Sequence, residues 1–266
     1  MATNETDEVR LAIEGPVAVI SFNRPHRRNA VSMDLLHGFR RLFDQVAATS
    51  DIRVLIIRGE GADFCVGADV KAAPPADGAP RARTPYEELH GIYQSATLLH
   101  EMPQVTIAAV DGGCAGPGMA WAAACDFRFC SDRVVFNTAF LNVGVAGEMG
   151  LAWSLLRLVG GSWARELLLF PSKFGAEEAK RLGLVTRVFP ASELLAGARA
   201  AADQLTSRAP TALRMAKANI LSGEKLGLAE FVAVEGARHA HLAFEPALAE
   251  GFRAFAEGRA ADFSSR

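Results

Sequence analysis

Residues 105–126, VTIAAVDGGCAGPGMAWAAACD, constrain this chain more than any other stretch. A β-branched apolar run enters Gly112, Gly113, Gly116, Pro117 and Gly118, and the chain resumes as a run of small residues with helical composition. That order reads as a buried strand, a tight bend and a helix N-terminus. The glycines let the backbone come close to a neighbour, and Pro117 has the fixed φ suited to a first helical position. The first amides of a helix have no internal acceptor, so such a bend aims unpaired N–H groups and a positive dipole end outwards. It suits an anion, or an oxygen about to become one.

The rest of the chain supplies a second bend of the same kind. Residues 53–59, RVLIIRG, read as a short strand running into EGADFCVGADVK, where Gly67 permits an unusual backbone and the amides of Ala68 and Asp69 follow. Two glycine bends, each after a strand, therefore both offer main-chain donors. Upstream, residues 9–23 alternate around Glu14-Gly15-Pro16 as a hairpin, and Ser32 is an N-cap for a helix carrying Met33, Leu36, Phe39, Leu42, Phe43 and Val46 on one face. Arg24, His26, Arg27 and Arg28 fill the loop between, either as a solvated cluster or as a phosphate contact. Residues 72–84 read as a surface loop or lid rich in Pro, Ala, Gly and Arg. Residues 85–102 then have helical spacing through Leu89, Ile92, Tyr93, Ala96 and Leu99, and short strands are expected at 127–130 and 134–136.

Downstream, residues 162–190 hold two short helices, and the sequence beyond 191 is helical with breaks near Pro210, Gly223 and Pro246. The change from strand-helix alternation to helices alone divides the chain into an α/β core, 1–195, and a helical extension, 196–266, suited to embracing a neighbouring subunit. A formal net charge of −2 and the lack of a basic, aromatic-interleaved stripe argue against nucleic acid. The longest apolar run is broken by Asp111 and glycines, so no membrane association is expected. The polar, acidic first residues do not resemble a signal peptide, and the expected location is the cytoplasm. Cys65, Cys114, Cys125 and Cys130 have no paired spacing and read as buried free thiols, and no metal site is expected.

Glu148 is the one acid set among glycines and apolar residues, just before a helix. Buried there, it would ionise reluctantly, as an acid/base group does; the other reading is a capping Glu in a first helical turn. The six histidines have no partners at metal or triad spacing and read as structural or surface residues.

Five segments in order resemble the enoyl-CoA hydratase/isomerase (crotonase) superfamily: SFNRPHRRNAVSM its NRP-x-x-x-NA motif, FCVGADVK its first oxyanion bend, VDGGCAGPGMAWAAACDFRF its second, RLGLVTRVFP its GLV segment and EGFRAFAEGRAADF its C-terminal ending. The resemblance implies an α/β spiral of ββα units with a C-terminal helical extension, in which two bends hold a thioester carbonyl that becomes an enolate. It places the first donor at Ala68 and the second at Pro117, which has no N–H, so Gly118 or a water held by it is expected to serve instead. The two glutamates of family hydratases fall on Ala120 and Phe140, which cannot activate water. The acid of family isomerases falls on Glu148, in Gly144-Val145-Ala146-Gly147-Glu148-Met149-Gly150. Dienoyl isomerases add acids at the Ala120 and Phe140 positions, so a simple double-bond shift fits better.

By the same resemblance, the contacts to coenzyme A, present only as part of the thioester substrate with no permanently bound cofactor, fall on His26, Arg28, Ala30, Gly67, Asp69 and Val70. The C-terminal CoA-reaching lysine falls on Gly258, with Arg259 as a substitute. A homotrimer or homohexamer is the implied assembly. The alternatives are hydration or acyl-CoA hydrolysis by Glu148 and water, an acyl-CoA-binding protein that has lost catalysis, and dinucleotide binding by the second bend, which would leave the GAD bend unexplained.

Overall fold

The structure, a computed structural model, describes residues 8–69 and 86–263. Strands β1 (Val9–Glu14) and β2 (Val17–Phe22) form the expected hairpin, antiparallel with Glu14 opposite Val17. The chain then crosses through helix α1 (Met33–Ala48) to β3 (Val54–Gly59), and through α2 (Tyr86–Glu101) to β4 (Val105–Val110), both parallel to their predecessors. Ser32 caps α1 as expected, its hydroxyl accepting from the Leu35 amide at 3.1 Å. After the central bend come α3 (Pro117–Ala124) and β6 (Phe127–Ser131), and later β8 (Arg187–Phe189) extends the same sheet. The strand order is β1-β2-β3-β4-β6-β8.

The strands read as continuous apolar runs because both faces of the sheet are covered. On β2, Ala18, Ile20 and Phe22 enter one core and Val17 and Val19 the other; on β3, Leu55 and Ile57 oppose Val54 and Ile56 in the same way. The first core is closed by α1, through Leu35, Phe39, Leu42, Phe43 and Val46, together with α2 and α3. The second is closed by α7 (Leu194–Thr206), through Leu194, Ala198, Ala201 and Ala202. The expected division near residue 195 thus falls at the start of a helix that is part of the core, because its apolar face is what covers the sheet. Beyond it, α8 (Pro210–Gly223) is anchored by Lys217, α9 (Leu228–Leu242) buries nothing, and α10 (Pro246–Glu257) buries only Ala254.

The sequence reading of one continuous bend after β4 needs correction. Residues Gly113–Ala115 form a short strand, β5, paired in parallel with β7 (Val135–Asn137) as a separate two-stranded sheet. Glycine-rich composition hid a strand whose residues pair across 22 positions. The turn from β7 passes through a 3-10 helix (Phe140–Val143) to α4 (Leu151–Leu158), α5 (Gly160–Leu169) and α6 (Ala176–Arg181). All four cysteines are buried and free. Among the described residues no helix is long and apolar enough to cross a membrane.

Candidate active site

The two glycine bends lie against each other. The segment entering the first bend adds a strand to β5: Cys65 donates to the Gly113 carbonyl at 3.1 Å and Ala115 donates to the Cys65 carbonyl at 2.9 Å. Asp63 locks the pair further, its Oδ1 accepting from the Gly113 amide at 2.7 Å and from Arg28 at 2.9 Å. At the crossing, Gly67 has φ 100° and Gly116 φ 51°, and a side chain on Gly116 would begin 3.8 Å from the Gly67 Cα. Only glycine takes such angles at such proximity without strain.

In the first bend, Val31 donates to the Gly67 carbonyl at 2.8 Å and Asp69 donates to the Val31 carbonyl at 3.1 Å. The Ala68 amide between them takes part in neither bond, and Ala68 is exposed. Among the described residues no main-chain bond engages it. In the second bend, Pro117 opens α3 and is buried. Gly118, whose amide is expected to stand in for the missing donor, is packed so closely against the first bend that a side chain there would meet the Cys65 carbonyl oxygen at 2.4 Å. The bulk of Cys65 fills the space beneath the helix start. Burial pushes the Cys65 thiol up to about 12, with the Gly67 and Gly118 amides offsetting part of the effect, so the sulfur is neutral.

Glu148 lies at the same crossing. Gly147, Met149 and Gly150 all have positive φ, a contorted turn in which Met149 takes 51° with its side chain buried. A non-glycine residue held there carries of order 1 kcal/mol of strain or more. The capping reading fails, because α4 begins at Leu151 with Gly150 as its N-cap and has no acid in its first turn. The Glu148 carboxylate is half-buried and near enough to the Tyr93 hydroxyl and to Cys65 to interact electrostatically. Burial raises its pKa, and the Tyr93 hydroxyl opposes the rise. The Phe140 ring lies over both Gly116 and Gly147, 3.7 and 3.9 Å from where side chains there would begin. Phe140 and Ala120 are both buried.

Tyr93 is the residue that sequence reasoning missed. It reads as one more apolar position on α2, but it is 37% exposed and close enough to an acid 55 residues downstream for each to shift the other's ionisation. No local pattern announces such a pairing.

The residues expected to meet CoA surround the NRP-x-x-x-NA loop and do mostly structural work here. His26 is exposed on a single 3-10 turn, Pro25–Arg27. Arg28 pairs with Asp63. The Ala30 carbonyl accepts from Arg24 at 2.5 Å. The Asp69 side chain, 8% exposed, pairs with Arg24 and Arg27, which hold its pKa down at about 2, the Arg27 hydrogen bond contributing most. Asn29, buried at φ 54°, donates to the Glu60 and Asp63 carbonyls at 2.9 and 2.7 Å and so ties this loop to the first bend. Val70 lies outside the described residues. Arg259 is engaged by Glu250 and Glu257. Among the described residues no group of three or more His, Cys, Asp or Glu could hold a metal ion.

The family model of enoyl-CoA hydratase/isomerase matches residues 12–266. The chain belongs to this family. Its fold is that of the crotonase-like enzymes: the enoyl-CoA hydratase of Bacillus anthracis superposes with a TM-score of 0.89 at 28% identity, over 97% of this chain and 100% of that one. A Thermobifida fusca YX protein solved in complex with CoA gives 0.82 at 30% identity, over 91% and 96%. The mitochondrial Delta(3,5)-Delta(2,4)-dienoyl-CoA isomerase of Rattus norvegicus is 31% identical over 211 residues, covering 76% of this chain and 64% of that protein. The protein is an enzyme of the enoyl-CoA hydratase/isomerase family, and its relatives are named for both reactions.

Proposed function

We propose that this family member isomerises an unsaturated acyl-CoA, shifting a double bond through an enolate, with Glu148 as the single acid/base. The observation that carries the reading is that Glu148 is a half-buried carboxylate with a raised pKa beside the two bends, while the neighbouring Ala120 and Phe140 positions offer nothing that could activate water. The thioester oxygen approaches the Ala68 amide and the positive end of α3. One donor of this kind is worth about 3–4 kcal/mol once the oxygen carries charge. Glu148 removes a proton from the α-carbon, the electron pair delocalises onto the thioester oxygen, and the same proton returns at the γ-carbon as the double bond migrates. Phe140, lying over Gly116 and Gly147, excludes water that would compete.

The nucleotide and pantetheine are proposed to run along the loop carrying His26, Arg28 and Ala30 and past Gly67, Asp69 and Val70, with no permanently bound cofactor. The assembly is proposed to be a homotrimer or homohexamer, since α9 and α10 leave Phe244, Phe252 and Phe255 between 68% and 90% exposed.

Hydration is the rival reaction. Assay of Glu148→Gln and the parent protein with 2-enoyl and 3-enoyl thioesters separates the two. The proposal expects isomerisation of the 3-enoyl substrate by the parent and a loss of about 100-fold or more in kcat for the variant. Net water addition by the parent, or undiminished isomerisation by the variant, would overturn it.

A further inference from the structure

At the edge of the sheet away from the bends, the molecule holds a second cavity. The bends follow the last residues of β3 and β4, whereas this cavity is lined by Val105 and Phe127, the first residues of β4 and β6, and by Ala123 and Cys125 at the far end of α3. At 1.5 Å per residue, the length of α3 sets it about 12 Å from the second bend. Helices α4 and α8 close its sides, and its volume is about 350 Å³, most of it faced by carbon from side chains such as Leu158, Leu205, Leu213 and Ile220.

The polar part of the wall is charge taken out of water. Lys217 is 4% exposed and Arg128 5%. The carboxylate beside them is Asp126, whose Oδ2 already accepts from the Thr106 amide and hydroxyl as well as from Lys217 at 2.8 Å. Among the described residues, Arg128 donates only to main-chain carbonyls, chiefly that of Leu184 at 2.7 Å. Lys217 places two of its three ammonium protons, on Asp126 and on the Gln104 carbonyl at 2.6 Å, and the third has no partner among the described residues. Arg157 lies 3.7 Å over the Trp153 ring and meets no acid among the described residues. Glu224, the other acid of the lining, bonds His100 at 2.9 Å. Three cations thus face the cavity against two carboxylates. Buried charge short of a counter-charge is costly, and an apolar cavity with surplus positive charge suits an anion with an apolar body.

We propose that this cavity is a binding site for a free carboxylate with an aliphatic chain, its head group hydrogen-bonded by Lys217 in the field of Arg128 and its chain lying along Leu213, Ile220 and Leu158 toward Trp153. At about 30 Å³ for each water-sized group, the cavity holds about twelve, the number of non-hydrogen atoms in a ten-carbon fatty acid. The tail of a thioester reaching in from the bends would bring no anion, so the surplus charge favours the free acid. The ligand binds unchanged, with no bond made or broken.

The test is calorimetric titration of the full chain with decanoate, 1-decanol and decyltrimethylammonium, each below its micellar concentration. The expected result is saturable binding of one decanoate per chain, binding of decanol weaker by about tenfold or more, and no binding of the cation. Two variants at exposed lining positions of α8 report the location: Ala216→Trp fills the cavity and Ile220→Glu supplies the missing negative charge. Each should weaken decanoate by about tenfold or more and leave the affinity for CoA within about twofold. Thermal unfolding close to the parent's shows a variant folded, and if one fails the other is read alone. Decanoate affinity is expected to be the same in protein saturated with decanoyl-CoA. Displacement by that thioester would give the cavity to the substrate's own tail and overturn the proposal. Decanol binding as tightly as decanoate, no saturable decanoate binding, or parental decanoate affinity in the folded variants would overturn it as well.

Discussion

A carboxyl group that loses water holds its proton to higher pH, and this tendency sets what Glu148 does to both stability and rate. Its folded-state pKa is raised above the ordinary 4.5, so above 4.5 the folded protein binds more proton than the unfolded chain and stability falls as pH rises, until the raised value is passed. Glu148→Gln removes that penalty. The melting temperature of the variant minus that of the parent is therefore expected to be near zero below pH 4.5 and positive at neutral pH, as thermal scans across pH would show. Activity has the opposite dependence, because the base must be ionised: kcat/KM falls as pH drops through the raised value. Pro117 invites a complementary change. Pro117→Gly restores an N–H where family members place their second donor, and turnover should rise by roughly tenfold or more with KM little altered. A variant no faster than the parent would mean that the oxygen does not approach the start of α3.

At the level of elements, what matters is how loops and helices are fastened to the sheet. Asp126 accepts from the Thr106 amide at 2.7 Å and from Lys217 at 2.8 Å, and Lys217, 4% exposed, also donates to the Gln104 carbonyl at 2.6 Å. This network is the bolt between α8 and the sheet. Lys217→Met leaves Asp126 without its cation, and a loss of about 3 kcal/mol in denaturant unfolding is expected. Removing the α1 cap by Ser32→Ala should cost about 1–2 kcal/mol, since the bond from the Leu35 amide and the one the hydroxyl donates to Glu8 are both lost. Asp69 fastens the NRP-x-x-x-NA loop through Arg24 and Arg27, and Asp69→Asn should raise KM for a CoA thioester more than it lowers kcat. Its folded pKa lies below the ordinary 3.8, so this tether stabilises above 3.8 and is lost as pH falls toward 2.

For the molecule as a whole, the sheet is buried on both faces while the two last helices are not. Leu228, Val232, Phe244, Phe252 and Phe255 are each more than half exposed, a larger apolar display than a monomer ordinarily keeps. Light scattering behind size exclusion is expected to give three or six chains, and Phe252→Asp combined with Phe255→Asp to lower that number without unfolding the α/β core. A monodisperse monomer of the parent protein would refute the assembly.

The pattern of residues along the chain was sufficient for the hairpin, the capped α1 and the strand before each bend, because those depend on neighbours in sequence: alternation, helical spacing, caps and glycine. It also singled out Glu148, since a lone acid among glycines is a local feature. Tertiary packing alone decided the rest. The β5 strand exists through pairing with residues 22 positions away, and Gly118 packs against a cysteine 53 positions earlier. Tyr93 comes near Glu148 only through the packing of α2. Local sequence fixes which conformations a segment can hold, but which polar atoms meet is settled by the close packing of elements distant in the chain.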